Sequence, residues 1–159
     1  MPAIGVHHTD TTDAAWDSGA NEKRLRSGES EAYYAREYAW RDPDADPTTK
    51  SAYKFPHHEV DADGNPGSAN LTACSAGIAV LNGGRGGANI PAADRDGVYL
   101  HLAAHLRDGG KEPPELVGAS VERAGATILA GFQCGDATLY RGSSDRGGWR
   151  SVHCGYRKR

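Results

Sequence analysis

Two histidines four residues apart are the side chains of this sequence best placed for chemistry. His101 and His105 fall in a segment with helical periodicity, so both side chains would project from one helix face. Imidazoles at this spacing can chelate a metal ion, as they do in HExxH proteins. Leu102 stands where those proteins carry a general-base glutamate, so the pattern favours metal binding over hydrolysis.

Further ligands are available elsewhere in the chain, namely His57, His58, Asp94 or Cys74. Neutral imidazole is a normal zinc ligand, and a site completed by water would be hydrolytic. Packing is nevertheless the favoured interpretation, since histidines at the edge of an apolar face commonly donate to a backbone carbonyl. The sequence therefore predicts no cofactor, with zinc as the alternative. The predicted ligands are His101, His105, His57 and His58.

No residue is predicted to be catalytic. The sequence has no GxSxG motif, and its cysteines, at positions 74, 134 and 154, match no cysteine-protease signature. His153 and Cys154 are only an adjacent pair near the end of the printed sequence. The residues themselves therefore do not predict an enzyme.

Composition narrows the class of protein. A chain of 159 residues with 38% apolar residues and 21 glycines predicts one domain, or a small domain with tails, and a modest core. A net charge of −3 gives no field that would mark nucleic acid or a membrane as the partner. No apolar run is long enough for a transmembrane helix, and the first residues do not resemble a signal peptide. Widely spaced cysteines without a CxxC pair favour a reducing compartment.

Two helices are expected to hold the histidines. The first, predicted over residues 70–82, carries one apolar stripe: Leu71, Cys74, Ile78 and Leu81. The second, predicted over 91–107, opens at Pro91 and carries the stripe Val98, Leu102 and Leu106. Joined by the glycine-rich link that includes residues 83–87, they would form a helical hairpin.

An aromatic segment is expected to cover this hairpin, because two helices alone bury too little surface to be stable. A short helix is predicted over 29–40, inside an otherwise irregular segment over 1–50. The predicted fold class is mainly α, with a helical-hairpin domain over 51–116 and a glycine-rich tail over 117–159. The residues predicted to contact a partner protein are Trp40, Tyr53, Phe55 and Arg85.

The tail differs from the rest in charge. Residues 117–159 hold 7 Lys/Arg against 3 Asp/Glu. They are expected to be disordered or to form a short β-hairpin. Arg141, Arg146 and Arg150 stand among glycines, as in arginine–glycine segments that bind nucleic acid. The modest charge favours a solvated tail instead, so nucleic acid is not the expected partner.

Several short motifs resemble a domain of unknown function from tailed bacteriophages. The resemblance covers about residues 5–116, and its motifs are His7-His8-Thr9, Trp16-Asp17, Trp40-Arg41-Asp42-Pro43-Asp44, Ala52-Tyr53-Lys54-Phe55-Pro56-His57-His58, Ala73-Cys74, Leu81-Asn82-Gly83-Gly84-Arg85-Gly86-Gly87, Ile90-Pro91 and His101-Leu102-Ala103-Ala104-His105. Such domains accompany head-morphogenesis proteins of actinobacterial phages and prophages, commonly beside the prohead protease of HK97-like systems.

The resemblance implies a setting in virion assembly and capsid maturation. The expected function is a head-morphogenesis accessory module that docks onto phage capsid, scaffold or protease proteins. Its expected location is the cytoplasm of the bacterial host or the procapsid, with no membrane contact. Residues 117–159 are too few for a prohead protease, and no position matches its catalytic His and Ser. A fragment of that capsid maturation peptidase, or a zinc-binding protein using His101 and His105, is the alternative.

Overall fold

Short strands and helices alternate along residues 2–118, the part of the chain that this computed structural model describes. The helices are α1 (Ser18–Arg24), α2 (Glu31–Tyr34), α3 (Leu71–Leu81) and α4 (Ala92–Asp108). The strands are β1 (Thr11–Thr12), β2 (Tyr38–Arg41), β3 (Tyr53–Pro56), β4 (His58–Val60) and β5 (Pro66–Asn70). Single 3₁₀ turns lie at Lys50–Ala52 and Gly84–Gly86.

The helical pair α3 and α4 confirms the two long helices predicted from the sequence. Each apolar stripe is buried, and the two stripes form one core with Trp40. The helices run antiparallel. The guanidinium of Arg95, near the start of α4, donates to the carbonyl of Leu81 at the end of α3, and Gly109, directly after α4, lies against Leu71 at the start of α3. A Cβ at Gly77 would lie 2.7 Å from Cδ1 of Leu102, so glycine allows this close packing.

Two small sheets flank the pair. In the first, β2 runs antiparallel to β3, with Trp40 opposite Lys54. In the second, β5 lies between β1, which is parallel to it, and β4, which is antiparallel. The N-terminal residues extend the first sheet, because Ala3 forms an antiparallel bridge with Trp40.

The expectation of a mainly α fold is wrong. Residues 2–118 hold five strands in two sheets beside four helices, 38% helical and 16% strand. The helix predicted over 29–40 shrinks to α2, and Tyr38–Arg41 forms a strand instead. Aromatic residues fit a pleated, buried surface, and here the pairing with β3 satisfies the backbone of this segment. Because Tyr38, Ala39 and Trp40 are all buried, the strand lacks the alternation that would predict it.

A second core, rich in tyrosine, lies apart from the helical stripes. It is formed by Leu25, Tyr33, Tyr34, Tyr38, Ala52, Tyr53 and Val60. The hydroxyl of Tyr34 donates to the carbonyl of Arg26 at 2.9 Å, and that of Tyr53 donates to the carbonyl of Pro47 at 2.8 Å. The aromatic segment therefore builds its own core, joined to the helical pair through β2.

Asn70 joins the second sheet to α3, and its replacement by alanine is expected to cost about 1–2 kcal/mol. Its side-chain oxygen accepts the N–H of Ala73 at 3.1 Å, which caps the helix. Its amide group donates to the carbonyl of Ala14 at 3.0 Å and to Glu59 at 2.6 Å. Urea denaturation measures the loss. Asn70→Asp keeps the cap but loses both hydrogen bonds that the amide group donates, so it should be less stable than the wild type. Wild-type stability in Asn70→Ala would contradict this role.

No helix within residues 2–118 is long and apolar enough to cross a lipid bilayer. Two predictions fall beyond the described residues. The β-hairpin or disorder predicted for residues 117–159 lies outside them except for residues 117 and 118. The predicted nucleic-acid contacts lie wholly outside them; they are Arg141, Arg146 and Arg150.

Candidate metal centre

Five of the six histidines that the structure describes gather in one place. They are His7, His57, His58, His101 and His105. The ring centroids of His57 and His101 lie 4.9 Å apart, and those of His101 and His105 lie 5.2 Å apart. Four of the five rings, all except that of His7, belong to fully buried residues.

The helical pair aims two of these rings. His101 and His105 each precede a residue of the α4 stripe, so they point roughly 100° away from the face that meets α3. In that direction the two side chains meet the N-terminal segment, where the ring of His101 donates a hydrogen bond to the carbonyl of Ile4. The apolar stripe therefore fixes the direction of both histidines.

Backbone hydrogen bonds on two sides hold His57 in the turn between β3 and β4. Its N–H donates to the carbonyl of Glu37 at 3.0 Å, and its carbonyl accepts the N–H of Asn70 at 2.7 Å. The remaining ring comes from the N-terminal segment, where His7 lies ahead of β1 and is partly buried. Three distant stretches of chain thus supply the cluster.

The nitrogens of four rings converge. One donor atom from each of His7, His57, His101 and His105 lies within 4.8 Å of the other three. A tetrahedral zinc ion with Zn–N bonds of about 2.0–2.1 Å places its ligand nitrogens about 3.4 Å apart. The rings would therefore close in by about an ångström around an ion, a movement within the reach of side-chain torsions.

Hydrogen bonds to backbone carbonyls define the tautomers of two of these rings. Nδ1 of His57 lies 3.0 Å from the carbonyl oxygen of Phe55, and Nδ1 of His101 lies 2.9 Å from that of Ile4. A carbonyl can only accept, so each Nδ1 carries the hydrogen and each Nε2 presents a lone pair. This is the arrangement by which proteins orient histidine ligands toward a metal.

The nitrogens left over have no hydrogen-bond partner within residues 2–118. They are Nε2 of His57, Nε2 of His101, and both nitrogens of His105. A buried polar atom without a partner costs roughly 1–3 kcal/mol, and four in one place is unusual for a native protein. A cation coordinated by these lone pairs would satisfy one nitrogen on each ring.

The electrostatics of the cluster keep its rings neutral. Burial lowers the pKa of His101 to about 4 and that of His105 to about 3. The pKa of His57 is lowered well below its usual value, first by burial and then by the neighbouring histidines. At pH 7 these rings therefore carry no proton that a metal ion would have to displace.

His58 lies beside the four converging rings and supports one of them. Its Nδ1 donates to the carbonyl of Gly67 at 2.7 Å, so its Nε2 is an acceptor. Nε2 of His7 lies 3.3 Å from that atom, and a hydrogen bond between them requires His7 to be the donor. His58 thus anchors the ring of His7.

Glu37 is a buried acidic residue that the sequence does not reveal. Neither oxygen of its fully buried carboxyl group has a hydrogen-bond partner within the described residues. Burial, with a contribution from Glu22 and Glu59, raises the pKa of Glu37 to about 9, although the nearby backbone N–H of His58 acts in the opposite direction. The side chain is therefore a neutral acid at pH 7.

All four predicted metal ligands lie in this group, and nitrogens of three of them, His57, His101 and His105, converge with a nitrogen of His7, which was not predicted. Two other predicted candidates lie elsewhere: Cys74 is in the helical core, and Asp94 accepts a hydrogen bond from the indole of Trp40 at 3.1 Å. A doubled histidine in the N-terminal segment, His7-His8, was the one available signal for the missing ligand.

The four residues predicted to contact a partner are split between interior and surface. Trp40 and Tyr53 are buried in the two cores, Phe55 is partly buried, and Arg85 is exposed. Phe55 and Arg85 line one groove on the surface.

Comparison with protein-family models, characterised proteins and solved structures finds no match to this chain. The expected role in phage head morphogenesis therefore stays a prediction.

Proposed function

We propose that this protein binds one divalent transition-metal ion, with zinc as the expected ion, through His7, His57, His101 and His105. The observation that carries the proposal is the convergence of four histidine donor atoms within 4.8 Å, with buried nitrogens of three rings lacking any hydrogen-bond partner. Imidazole ligands suit zinc, copper and nickel, whereas magnesium and calcium prefer oxygen.

Packing alone accounts poorly for the same arrangement. Histidines that only fill space would use both ring nitrogens in hydrogen bonds or would be replaced by apolar residues, because unsatisfied buried nitrogens destabilise the fold. Here the Nδ1 atoms of His57 and His101 are bonded to carbonyls while their Nε2 atoms are not. That asymmetry is typical of metal ligands.

The number of ligands favours a structural role for the ion. Zinc sites with four protein ligands are closed, whereas catalytic sites keep one position for water. The ion would join a residue of the N-terminal segment to three residues of the β3–β4 turn and α4. We infer that it fastens the N-terminal segment to the helical pair.

The direct test is metal stoichiometry. Protein stripped with a chelator is titrated with zinc in a calorimeter, and with cobalt(II), whose absorption reports tetrahedral coordination. We expect one ion per chain and a tetrahedral cobalt spectrum. Binding of less than one tenth of an ion per chain would overturn the proposal.

His7→Ala is expected to weaken zinc binding at least about tenfold, since loss even of an outer-shell partner costs about 10–100-fold. The matched control is His8→Ala, because the neighbouring ring lies outside the cluster and contacts Asp108 at 2.6 Å on the surface. Calorimetric titration of both variants makes the comparison. Equal affinities in the two variants would exclude His7 as a ligand.

A further inference from the structure

A surface groove whose lining contains no histidine has the features of a binding site. Its cavity volume is ≈ 380 Å³, and it is open to solvent between the end of β3, α3 and the glycine-rich link. Trp16, Phe55 and Val80 contribute apolar surface to its walls. The volume lies within the range of known ligand sites, while the open side suits an extended chain better than an enclosed small molecule.

Charge in the groove has one sign. Lys54 and Arg85 line it, and no aspartate or glutamate of the described chain does. Arg85 is exposed and forms no ion pair or side-chain hydrogen bond with residues 2–118. The amine of Lys54 donates to the carbonyl of Asn89 and lies 5.1 Å from the ring centre of Trp40, which leaves further N–H groups for a ligand.

Backbone conformation singles out the same place. Phe55 has φ of 63° and Arg85 has φ of 53°, and within residues 2–118 these are the two non-glycine residues with positive φ. Both line the groove. Left-handed conformation costs an ordinary residue roughly 1–2 kcal/mol, and such strain is concentrated at functional sites.

We propose that this groove binds a short acidic segment of a partner protein, with a bulky apolar side chain against Phe55 and Val80 and a carboxylate facing Arg85 and Lys54. Charge complementarity identifies the occupant, since a basic rim with apolar walls attracts an acidic segment that carries an apolar anchor. It also argues against the chain's own residues 117–159, where 7 Lys/Arg stand against 3 Asp/Glu.

Selection from a random library of displayed peptides tests this proposal, with the full chain as bait. Arg85→Glu serves as counter-selection, and Arg107→Glu is the matched control, because Arg107 is an exposed arginine of α4 outside the groove. We expect enriched peptides to combine acidic residues with one bulky apolar residue. Their synthetic versions should bind Arg85→Glu about tenfold more weakly than Arg107→Glu, and less tightly at higher salt.

Three results would overturn the proposal. The first is the enrichment of no peptide above background, and the second is enrichment of peptides that bind Arg85→Glu as well as the wild type. The third is binding of phenyl phosphate without any acidic peptide, which would assign the groove to a small anion. Val80→Ser separates the apolar part of the site from the charged part, since it should weaken peptide binding while the charge of the groove is unchanged.

Discussion

Saturating zinc is expected to raise the thermal unfolding midpoint of the wild-type protein by at least about 8 °C. An ion that binds only the native state stabilises it by mass action, by about 4 kcal/mol at a thousandfold excess over Kd. For domains of this size 1 kcal/mol corresponds to roughly 2–8 °C. Scanning calorimetry of chelator-treated protein, with and without zinc, measures the shift.

His105→Leu is the variant that makes this test specific. It removes a ligand whose two nitrogens are buried and unpartnered, and it keeps an apolar side chain in the interior. Without metal the variant should be more stable than the wild type by about 1–3 kcal/mol, because two unsatisfied polar atoms are gone. Zinc should not raise its midpoint. His8→Ala should respond to zinc as the wild type does, and an undiminished zinc shift in His105→Leu would place the ion elsewhere.

Glu37→Gln is expected to abolish most of a pH dependence that the wild type shows above neutrality. The pKa of this carboxyl group is 4.5 as a free side chain and about 9 in the fold, so the native state keeps a proton that the unfolded chain has released. Stability is then fully present below pH 4.5 and is lost as pH rises toward 9. Between pH 7 and pH 8.5 the loss amounts to about 2 kcal/mol, and at pH 7 about 3 kcal/mol has already been lost.

Urea denaturation of metal-free protein at pH 7 and pH 8.5 measures this slope. In the unfolded chain each cluster histidine, with a pKa near 6.5, still holds about a quarter of a proton at pH 7, which opposes this slope slightly. Glu37→Gln leaves that contribution unchanged, so the difference between the slopes of the variant and the wild type reports Glu37. Glu112→Gln, which changes an exposed glutamate, should keep the wild-type slope. A Glu37→Gln variant with the wild-type slope would show that Glu37 is not the responsible group.

Local signals were sufficient for the helical pair. The caps, the glycine stops and the stripes of α3 and α4 are encoded within each segment, and the structure places both helices within two residues of their predicted ends. The strands have two to five residues, and their pairing joins distant segments. Tyr38–Arg41 in particular carries no alternation, so no local pattern distinguishes it from a helix end.

The histidine cluster, too, is only partly predictable from local sequence. The sequence predicts that His101 and His105 lie together, because their spacing belongs to one helix. The position of His7 depends on the pairing of the N-terminal segment with β2, where the N–H of Ile4 donates to the carbonyl of Ala39 at 3.0 Å. The burial of Glu37 could not be expected, since glutamate is almost never fully buried without a partner.

The proposed ligands are far apart along the chain, so an ion bound to them would close long loops. His7 and its anchor His58 are 51 residues apart, and Ile4 and His101 are 97 apart. An ion that joins His7, His57 and His101 would close two loops of about 50 and about 45 residues, and a permanent cross-link around either loop would stabilise the fold by about 4 kcal/mol through chain entropy. Cys74, the cysteine within the described residues, is free and buried. The proposed ion would therefore act as a cross-link that reducing agents leave intact and chelators open.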